Sequence, residues 1–220
     1  SISYVSENSA EVCNDNTLMY LGLYRAVAET RSESIIVNPI SNCSYPGEID
    51  IQVEEKWWDG PVHDSVASYG NPKKLGFILA ECYRRQYNVR TLHLVIPNAY
   101  GPLDYTNTEK THAMNGLIIR MLTALKCEQS DFTIWGSGRP IREWVYMEDV
   151  ARLIQVIVNK RISFLPSPIN IGQECGISIM DSAKLIQKLI GSNFRLLTDL
   201  SRQDGAPIKV LSYKKFKEYF

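Results

Sequence analysis

Long apolar runs, a leader segment and an excess of either charge are all missing from these 220 residues. No segment approaches the roughly 18–20 apolar residues of a membrane span, and no charged-then-apolar stretch opens the chain. Lys and Arg total 24, as do Asp and Glu, so no overall field attracts nucleic acid or an anionic membrane. We therefore expect a soluble, cytoplasmic protein that binds neither nucleic acid nor membranes. A phosphate-rich ligand would need a local cluster of cations.

Cysteine is also scarce, and its spacing argues against the usual cysteine-based sites. The five cysteines are scattered along the chain, with no C-x-x-C pair. Such a pattern fits neither a zinc site nor a disulfide framework. The sequence thus predicts no metal.

Helix-like and strand-like segments alternate along the chain. The apolar spacing predicts helices at 16–30, 69–87, 112–126, 147–160 and 178–190. Short apolar runs rich in β-branched and aromatic residues predict strands at 34–40, 89–97, 131–135, 168–172 and 194–198. Strands that alternate with helices of this length indicate an α/β protein built on a parallel sheet.

Tyr69 and Lys73 stand four residues apart in the segment SYGNPKKLG. On a helix they share one face, where an ammonium group could lower the phenol's pKa from its usual value of about 10. Pro72 is tolerated in the first turn of a helix, so we expect the helix to begin close to Tyr69. The pair is either a catalytic proton-transfer couple or an ordinary solvated helix face.

Ser41 and Cys43 follow the predicted strand at 34–40. In a parallel sheet, ligands bind at the carboxyl ends of the strands. A hydroxyl at this edge, upstream of Tyr69 and Lys73, completes a Ser…Tyr-x-x-x-Lys set and favours the catalytic interpretation of that pair.

Six short motifs, in order, carry a resemblance to a known family. They are SNCSYP (41–46), YGNPK (69–73), NAYGP (98–102), WGSGRPIREWVYMEDVA (135–151), NIG (170–172) and DGAPIK (204–209). The chain resembles the extended short-chain dehydrogenase/reductases, which include the NAD-dependent nucleotide-sugar epimerases and dehydratases. Within them it is most similar to the branch that epimerises and reduces GDP-4-keto-6-deoxymannose with NADPH, and the resemblance implies that activity and NADP as cofactor.

The resemblance implies a role for each residue of the Ser…Tyr-x-x-x-Lys set. Tyr69 would donate and accept a proton at the sugar C4 oxygen. Lys73 would hold the nicotinamide ribose, and Ser41 would hydrogen-bond the reacting oxygen.

Cys43 and His112 match the family's epimerisation residues. Epimerisation beside a ketone removes a proton on one face and returns one on the other, and a thiol and an imidazole can each be tuned for this task near neutral pH. The alternative interpretations are a small buried apolar residue at Cys43 and a locally bonded helix-start residue at His112.

Further positions match family residues that contact cofactor or substrate. Asn98 and His112 would lie against the cofactor. The implied substrate-binding residues are Asn98, Arg120, Trp135, Arg142, Asp204 and Lys209, which include the local cationic cluster that a neutral chain needs for a diphosphate. Arg142 could instead form a surface pair with Glu143.

The resemblance also implies the architecture. Residues 1–102 would form part of a Rossmann-like NAD(P)-binding domain, a parallel sheet with helices on both faces, and 103–220 a smaller α/β substrate-binding lobe with segments that return to the core. The family's Gly-x-x-Gly-x-x-Gly loop, which holds the cofactor pyrophosphate, is absent, so we expect the domain to be N-terminally incomplete. Residues 1–16 would be a loop, and two helices, one of them 69–87, would form a homodimer.

Two rival functions stay open. One is another nucleotide-sugar epimerase or dehydratase, which shares Tyr-x-x-x-Lys but needs neither Cys43 nor His112. The other is a nucleotide-sugar-binding module without catalytic activity. The missing glycine-rich loop would fit either a fragment of an otherwise normal enzyme or a degenerate relative that no longer binds the cofactor tightly. The intact set of Ser41, Cys43, Tyr69, Lys73 and His112 favours the fragment of an enzyme.

Overall fold

The computed structural model describes residues 2–31, 33–107, 110–159 and 167–219. The helices in this part of the chain are α1 (Ile2–Glu7), α2 (Ser9–Glu29), α3 (Ala67–Tyr87), α4 (Ala113–Lys126), α5 (Met147–Asn159), α6 (Ile179–Leu189) and α7 (Lys214–Tyr219). The strands are β1 (Ile35–Ser41), β2 (Arg90–Ile96), β3 (Asn98–Tyr100), β4 (Asp131–Trp135), β5 (Ile141–Arg142), β6 (Trp144–Tyr146), β7 (Ile169–Asn170), β8 (Ile177–Ser178), β9 (Arg195–Asp199) and β10 (Ile208–Lys209).

The central sheet has the order β1-β2-β7, and both strand pairs are parallel. Ser41 pairs with Ile96 at the last position of the register, so the ends of β1 and β2 meet at one edge. This confirms the predicted α/β class with a parallel sheet.

Helices cover both faces of this sheet because alternate β2 side chains point to opposite sides. Leu92 and Leu94 belong to an apolar cluster that includes Ile157 of α5 and Phe216 of α7. Between them, His93 turns the other way, and its ring lies 5.0 Å from that of Phe77 on α3. The sheet is therefore sandwiched between α3 and the α5–α7 pair.

The packing of α2 on α3 depends on a glycine. Tyr20 and Tyr24 of α2 are buried, and a Cβ built on Gly76 of α3 would lie 2.8 Å from the Tyr20 ring. Only a residue without a side chain lets these two helices approach so closely.

A second layer of structure follows β3. The parallel pair of β4 and β9 packs against α4 and α6 through a core that includes Met121, Ile134 and Ile186. The short sheet β10-β5-β8 lies beside it and carries Lys209 opposite Arg142 in its register.

All ten predicted elements are present, with shifts at their ends. The strand predicted at 168–172 is only the two residues of β7, and residue 160, the last of the helix predicted at 147–160, lies outside the described residues. Across the part of the chain that the structure describes, no helix combines the length and apolar character needed to cross a membrane.

The expected loop at 1–16 was wrong. Residues in this segment form α1 and the first turns of α2, which begins at Ser9 rather than at residue 16. The segment is mostly polar and exposed, so it has too few apolar residues to show a helical spacing. The sequence pattern therefore could not reveal that α2 extends towards the N-terminus.

The expected position of Pro72 was also wrong. The α3 helix begins at Ala67, directly after a 3-10 turn at Asp64–Val66, so Pro72 is its sixth residue and lies inside the helix. His63 starts the chain into this turn by accepting a hydrogen bond from the Ser65 amide (3.3 Å). Proline removes the amide that would bond the Ser68 carbonyl.

Candidate active site

Ser41 and Cys43 lie where β1 ends. Ser41 caps the 3-10 turn Asn42–Ser44, and its hydroxyl accepts a hydrogen bond from the Cys43 amide at 3.2 Å. Both side chains are half-buried. The turn thus holds a hydroxyl and a thiol together at the carboxyl edge of the sheet.

Gly70 brings the start of α3 against this turn. A Cβ at this position would lie 2.6 Å from the Cys43 carbonyl oxygen and 2.7 Å from Val62 Cγ1. Nothing larger than hydrogen fits at this position. The close approach places Tyr69 of α3 near Cys43, which contributes to raising the pKa of Tyr69.

Tyr69 and Lys73 share one face of α3. The Lys73 ammonium lies 5.1 Å from the Tyr69 ring centroid and 5.2 Å from that of Tyr20. It donates a 2.6 Å hydrogen bond to Asn16 Oδ1 and is otherwise enclosed, with only 7% of the residue exposed. Burial lowers the pKa of Lys73.

The expectation that Lys73 lowers the phenol's pKa is not met by this geometry. Burial, and then the neighbouring Cys43 and Tyr20, raise the pKa of Tyr69 to about 12. Tyr69 is therefore protonated at neutral pH, the state required of a proton donor.

The Cys43 thiol contacts a buried cation that the sequence placed with the substrate. Lys209 Nζ lies 3.2 Å from Cys43 Sγ, and Lys209 and Arg142 are 6% and 7% exposed. Burial alone would raise the pKa of Cys43, but Lys209, the Ser41 hydroxyl and Arg142 together bring it below the usual value. The thiol is thus biased towards its thiolate.

His112 stands at the N-terminus of α4 and is exposed. Its Nδ1 lies 3.2 Å from Asp104 Oδ2, which leaves Nε2 for a ligand. Partial burial raises the pKa of Asp104, but bonds from Thr111, the Tyr105 amide, His112 and Asn115 outweigh it and bring the pKa to about 2. Asp104 escaped the sequence analysis, although a carboxylate in the loop just before a candidate histidine is a usable signal.

A cavity of about 340 Å³ opens between α4, the ends of β4 and β5, and the loop before β10. Among the described residues, its lining includes five of the predicted site residues: His112, Arg120, Trp135, Arg142 and Asp204. Arg142 joins the two groups of candidate residues, since it lines the cavity and also faces Cys43.

Two arginines flank the indole of Trp135 in this cavity. The guanidinium carbons of Arg120 and Arg202 lie 4.2 Å and 5.1 Å from the ring centroid. Arg120 also donates a hydrogen bond to the Thr133 carbonyl. Burial and then the charge of Arg202 lower the pKa of Arg120. Like charges held this close suit an anionic ligand.

Arg202 was missed by the sequence analysis. It lies two residues before the DGAPIK motif, and no spacing rule separates it from an ordinary exposed arginine. Only its position beside Trp135 reveals it.

The remaining predicted residues are held by protein groups. Asn98 lies in β3, where its side-chain amide donates to the Glu143 carbonyl at 3.1 Å. The Asp204 carboxylate accepts hydrogen bonds from the Ser137 amide (2.9 Å) and hydroxyl (2.5 Å) and so closes the Gly-Ser-Gly turn.

Glu143 is fully buried, so the alternative of a surface pair between Arg142 and Glu143 is wrong. Its carboxylate is bound by backbone amides, that of Leu211 among them, at 2.8 Å.

Three comparisons place this architecture among known proteins. The profile of the NAD dependent epimerase/dehydratase family matches residues 2–172. GDP-L-fucose synthase of Dictyostelium discoideum is 31% identical over 182 residues, which are 82% of this chain and 57% of that protein. GDP-L-fucose synthase of Escherichia coli is 29% identical over 187 residues, 81% of this chain and 58% of that protein.

A solved structure agrees with these sequence matches. The crystal structure of a GDP-L-fucose synthetase from Naegleria fowleri bound to NADP superposes with a TM-score of 0.80 at 26% identity, covering 93% of this chain and 65% of that one. This chain thus spans somewhat more than half the length of the curated relatives that it matches. The match extends over most of the chain and includes the sheet edge and α3, and the chain belongs to the NAD-dependent epimerase/dehydratase family.

Proposed function

We propose that the protein containing this chain epimerises and reduces GDP-4-keto-6-deoxymannose with NADPH, as a GDP-L-fucose synthase does. The observation that carries the proposal is the pairing of two chemistries at one edge of the sheet. Tyr69 and Lys73 share a face of α3, and next to them the Cys43 thiol contacts a buried ammonium. Matches to GDP-L-fucose synthases support the choice of sugar.

Epimerisation would use Cys43 and His112. The thiolate form of Cys43 accepts a proton from a carbon beside the ketone, and Nε2 of His112 is placed to exchange one, since Nδ1 faces Asp104. These two residues distinguish the proposal from an epimerase or dehydratase that acts through Tyr-x-x-x-Lys alone.

Reduction would use Tyr69, with Ser41 bonding the same oxygen. The residues present fit the nicotinamide-ribose end of the cofactor. The Lys73 ammonium has three N–H donors, and within the described part of the chain it gives one of them to a protein group, Asn16. NADPH supplies the hydride when bound. Tyr69, protonated because its pKa is about 12, then donates the proton to the sugar oxygen.

The substrate diphosphate would bind to the cations of the 340 Å³ cavity. Arg120 and Arg202 offer planar donors beside Trp135, and the indole offers a face for stacking. The cavity therefore supplies the local positive field that a chain of balanced charge requires.

We also propose a homodimer through α2 and α3. Leu18 and Met19 of α2 are 64% and 53% exposed, and Ile78 of α3 is 47% exposed. Large apolar side chains exposed together on neighbouring helices are typical of contact surfaces. Light scattering should give twice the chain mass, and Leu18→Glu with Met19→Glu should give the single mass; a monomeric parent would refute the dimer.

Isotope exchange tests the two chemistries separately. In D₂O, the protein is given GDP-4-keto-6-deoxymannose and NADPH. The sugar should then incorporate deuterium at the carbons beside its ketone, and NADPH should be consumed. Cys43→Ser should suppress deuterium incorporation, while Tyr69→Phe should retain it and lose NADPH consumption. Unchanged exchange in Cys43→Ser would favour an epimerase or dehydratase of another nucleotide sugar.

A non-catalytic nucleotide-sugar-binding module is the second candidate, because the arginines beside Trp135 would bind a diphosphate whether or not any chemistry follows. Calorimetry with GDP and with NADPH separates the two. Binding of both ligands supports the enzyme, whereas binding of GDP without NADPH supports the module.

A further inference from the structure

We propose that Lys209 is a positioning residue that holds Cys43 as the thiolate at the carboxyl edge of the sheet. The inference rests on the proposed function for its catalytic meaning, since it specifies how the epimerisation base is prepared. It differs from the expectation that Lys209 contacts the nucleotide part of the substrate.

Geometry carries the assignment. Lys209 Nζ lies 3.2 Å from Cys43 Sγ, and Lys209 is not among the described residues that line the cavity. Only 6% of Lys209 is exposed, so its ammonium is enclosed by protein rather than by bulk water. None of the ion pairs formed within the described residues involves Lys209. The sulfur is therefore the group placed to balance its charge.

The strands that carry the two cations make this contact rigid. Lys209 of β10 pairs with Arg142 of β5 in a parallel register, so the two side chains emerge side by side beneath the turn that holds Cys43. Arg142 is buried as well. Burial lowers its pKa, and the nearby Cys43 and Asp204 partly offset this effect. An opposite charge at hydrogen-bond distance favours the ionised form of its neighbour, so the Lys209 ammonium favours a thiolate at Cys43.

Every charged or titratable group that faces Cys43 acts in a known direction. From β10 and β5, Lys209 and Arg142 favour the thiolate, as does the Ser41 hydroxyl from the end of β1. From α3, Tyr69 is neutral at physiological pH and adds no opposing charge. Burial opposes the thiolate, and the resultant pKa of the thiol is still below its usual value.

The chemical consequence is a base ready before substrate arrives. A neutral thiol cannot accept the proton that epimerisation removes, whereas a thiolate can. Lys209 would thus act through Cys43 rather than on the sugar, and its loss should change the pH dependence of Cys43 more than the binding of substrate.

Alkylation of Cys43 tests this without any substrate. The other four cysteines, Cys13, Cys82, Cys127 and Cys175, are exposed and are replaced by Ser, which leaves Cys43 as the single thiol. In this background, the rate of iodoacetamide alkylation is measured from pH 5 to pH 10. Removing an opposite charge at this distance should move the midpoint upward by about 1–3 pH units in Lys209→Met.

Two further variants keep the test decisive. Lys209→Arg retains the cation and should keep the midpoint near that of the parent, and Lys209→Gln replaces Lys209→Met if the latter does not fold, as judged by circular dichroism. Lys184→Met is the matched control, because Lys184 is exposed and paired with Asp181 at 2.9 Å. A midpoint in Lys209→Met or Lys209→Gln that coincides with the parent's would overturn the proposal.

Steady-state kinetics separates this role from substrate contact. A positioning role predicts that Lys209→Met lowers kcat for deuterium exchange, leaves KM near the parent value, and recovers activity as the pH rises. A rise in KM with unchanged pH dependence would instead assign Lys209 to substrate binding. Failure of the proposed function would show as absence of turnover in the parent, while the alkylation midpoints would still decide the state of Cys43.

Discussion

The edge of the sheet around Cys43 and the cavity beside Trp135 both gather cations, but they use them differently. At the sheet edge, Lys73 and Lys209 are 7% and 6% exposed, and each is held by one short contact. In the cavity, Arg202 is exposed, Arg120 is half-buried, and Trp135 beside them is 38% exposed, so this pair of cations is more open to solvent.

We propose that this difference separates chemistry from recognition within one protein. Ionisation responds strongly to burial, so groups that must hold an unusual protonation state belong at the enclosed edge. A guanidinium stays charged wherever it lies, and an open cavity lets it meet a diphosphate without a large loss of hydration. Arg142 is the link between the regions, because it is buried near Cys43 and also lines the cavity.

The largest expected effect is the loss of NADPH consumption when Tyr69, at the enclosed sheet edge, is replaced. Tyr69→Phe removes the proton donor but keeps the ring against Lys73, and general acid catalysis is worth about 10²–10⁴-fold. The rate of NADPH consumption should fall by that factor, while GDP affinity, set in the cavity, stays unchanged in calorimetry. Full NADPH turnover in this variant would contradict the role given to Tyr69.

A buried group without an opposite charge shows what burial does alone. His93 is 1% exposed, and burial lowers its pKa from 6.5 to about 4. The unfolded chain therefore binds the proton first as pH falls, so stability is full above pH 6.5 and is lost towards pH 4. A shift of this size corresponds to about 3 kcal/mol.

Urea unfolding at several pH values tests the His93 prediction. His93→Gln cannot take up the proton, so its unfolding free energy should fall less than the parent's between pH 6.5 and pH 4. Glu54 and Glu143 have raised pKa values and act in the opposite sense, but they are present in both proteins and cancel in the difference. Equal slopes would show that His93 does not lower stability in acid.

Sequence patterns predicted these elements because apolar residues recur in them at helix spacing or form short runs typical of strands. The strand expected at 131–135 is Asp131–Trp135, and the helix expected at 112–126 is Ala113–Lys126. The pattern could not place the start of α2, where the residues are mostly polar and exposed. It could not place Pro72 either, because a 3-10 turn starts the helix earlier than the local residues suggest.

The candidate site was predictable in composition but not in contacts. Resemblance to family motifs selected Cys43 and Lys209, yet their 3.2 Å contact joins two residues that are 166 positions apart in the sequence. The pKa of Tyr69 is raised by burial and by the neighbouring Cys43 and Tyr20, none of which follows from the i,i+4 spacing of Tyr69 and Lys73. Roles of the site residues therefore stay predictions until the variants are measured.

The next effect concerns the approach of α3 to the Cys43 turn. Gly70→Ala adds a Cβ that would lie 2.6 Å from the Cys43 carbonyl oxygen. Overpacking of this kind costs about 1–3 kcal/mol, and displacement of α3 should also alter the alkylation rate of Cys43. Gly22→Ala is the matched control, since nothing lies within 4 Å of its Cβ; the change should stabilise α2 by up to about 1 kcal/mol. Equal shifts in urea midpoint for the two variants would refute the close contact.

The smallest effect lies in the open region, at Arg202. Arg120 is half-buried and bonded to Thr133, whereas Arg202 is exposed. Arg120→Ala should weaken GDP binding by about 10–100-fold, the value of a charged hydrogen bond, and Arg202→Ala by only about 2–5-fold, because water and salt screen an exposed charge. Calorimetry at low and high salt checks this. The loss of GDP affinity in Arg202→Ala should shrink as salt is added, whereas the loss in Arg120→Ala should persist. Arg195→Ala is the control, because the Arg195 guanidinium pairs with Asp131 at 2.7 Å. A larger loss in Arg202→Ala than in Arg120→Ala would mean that exposure does not set the strength of the cavity cations, and the division between an enclosed reactive edge and an open recognition cavity would fail.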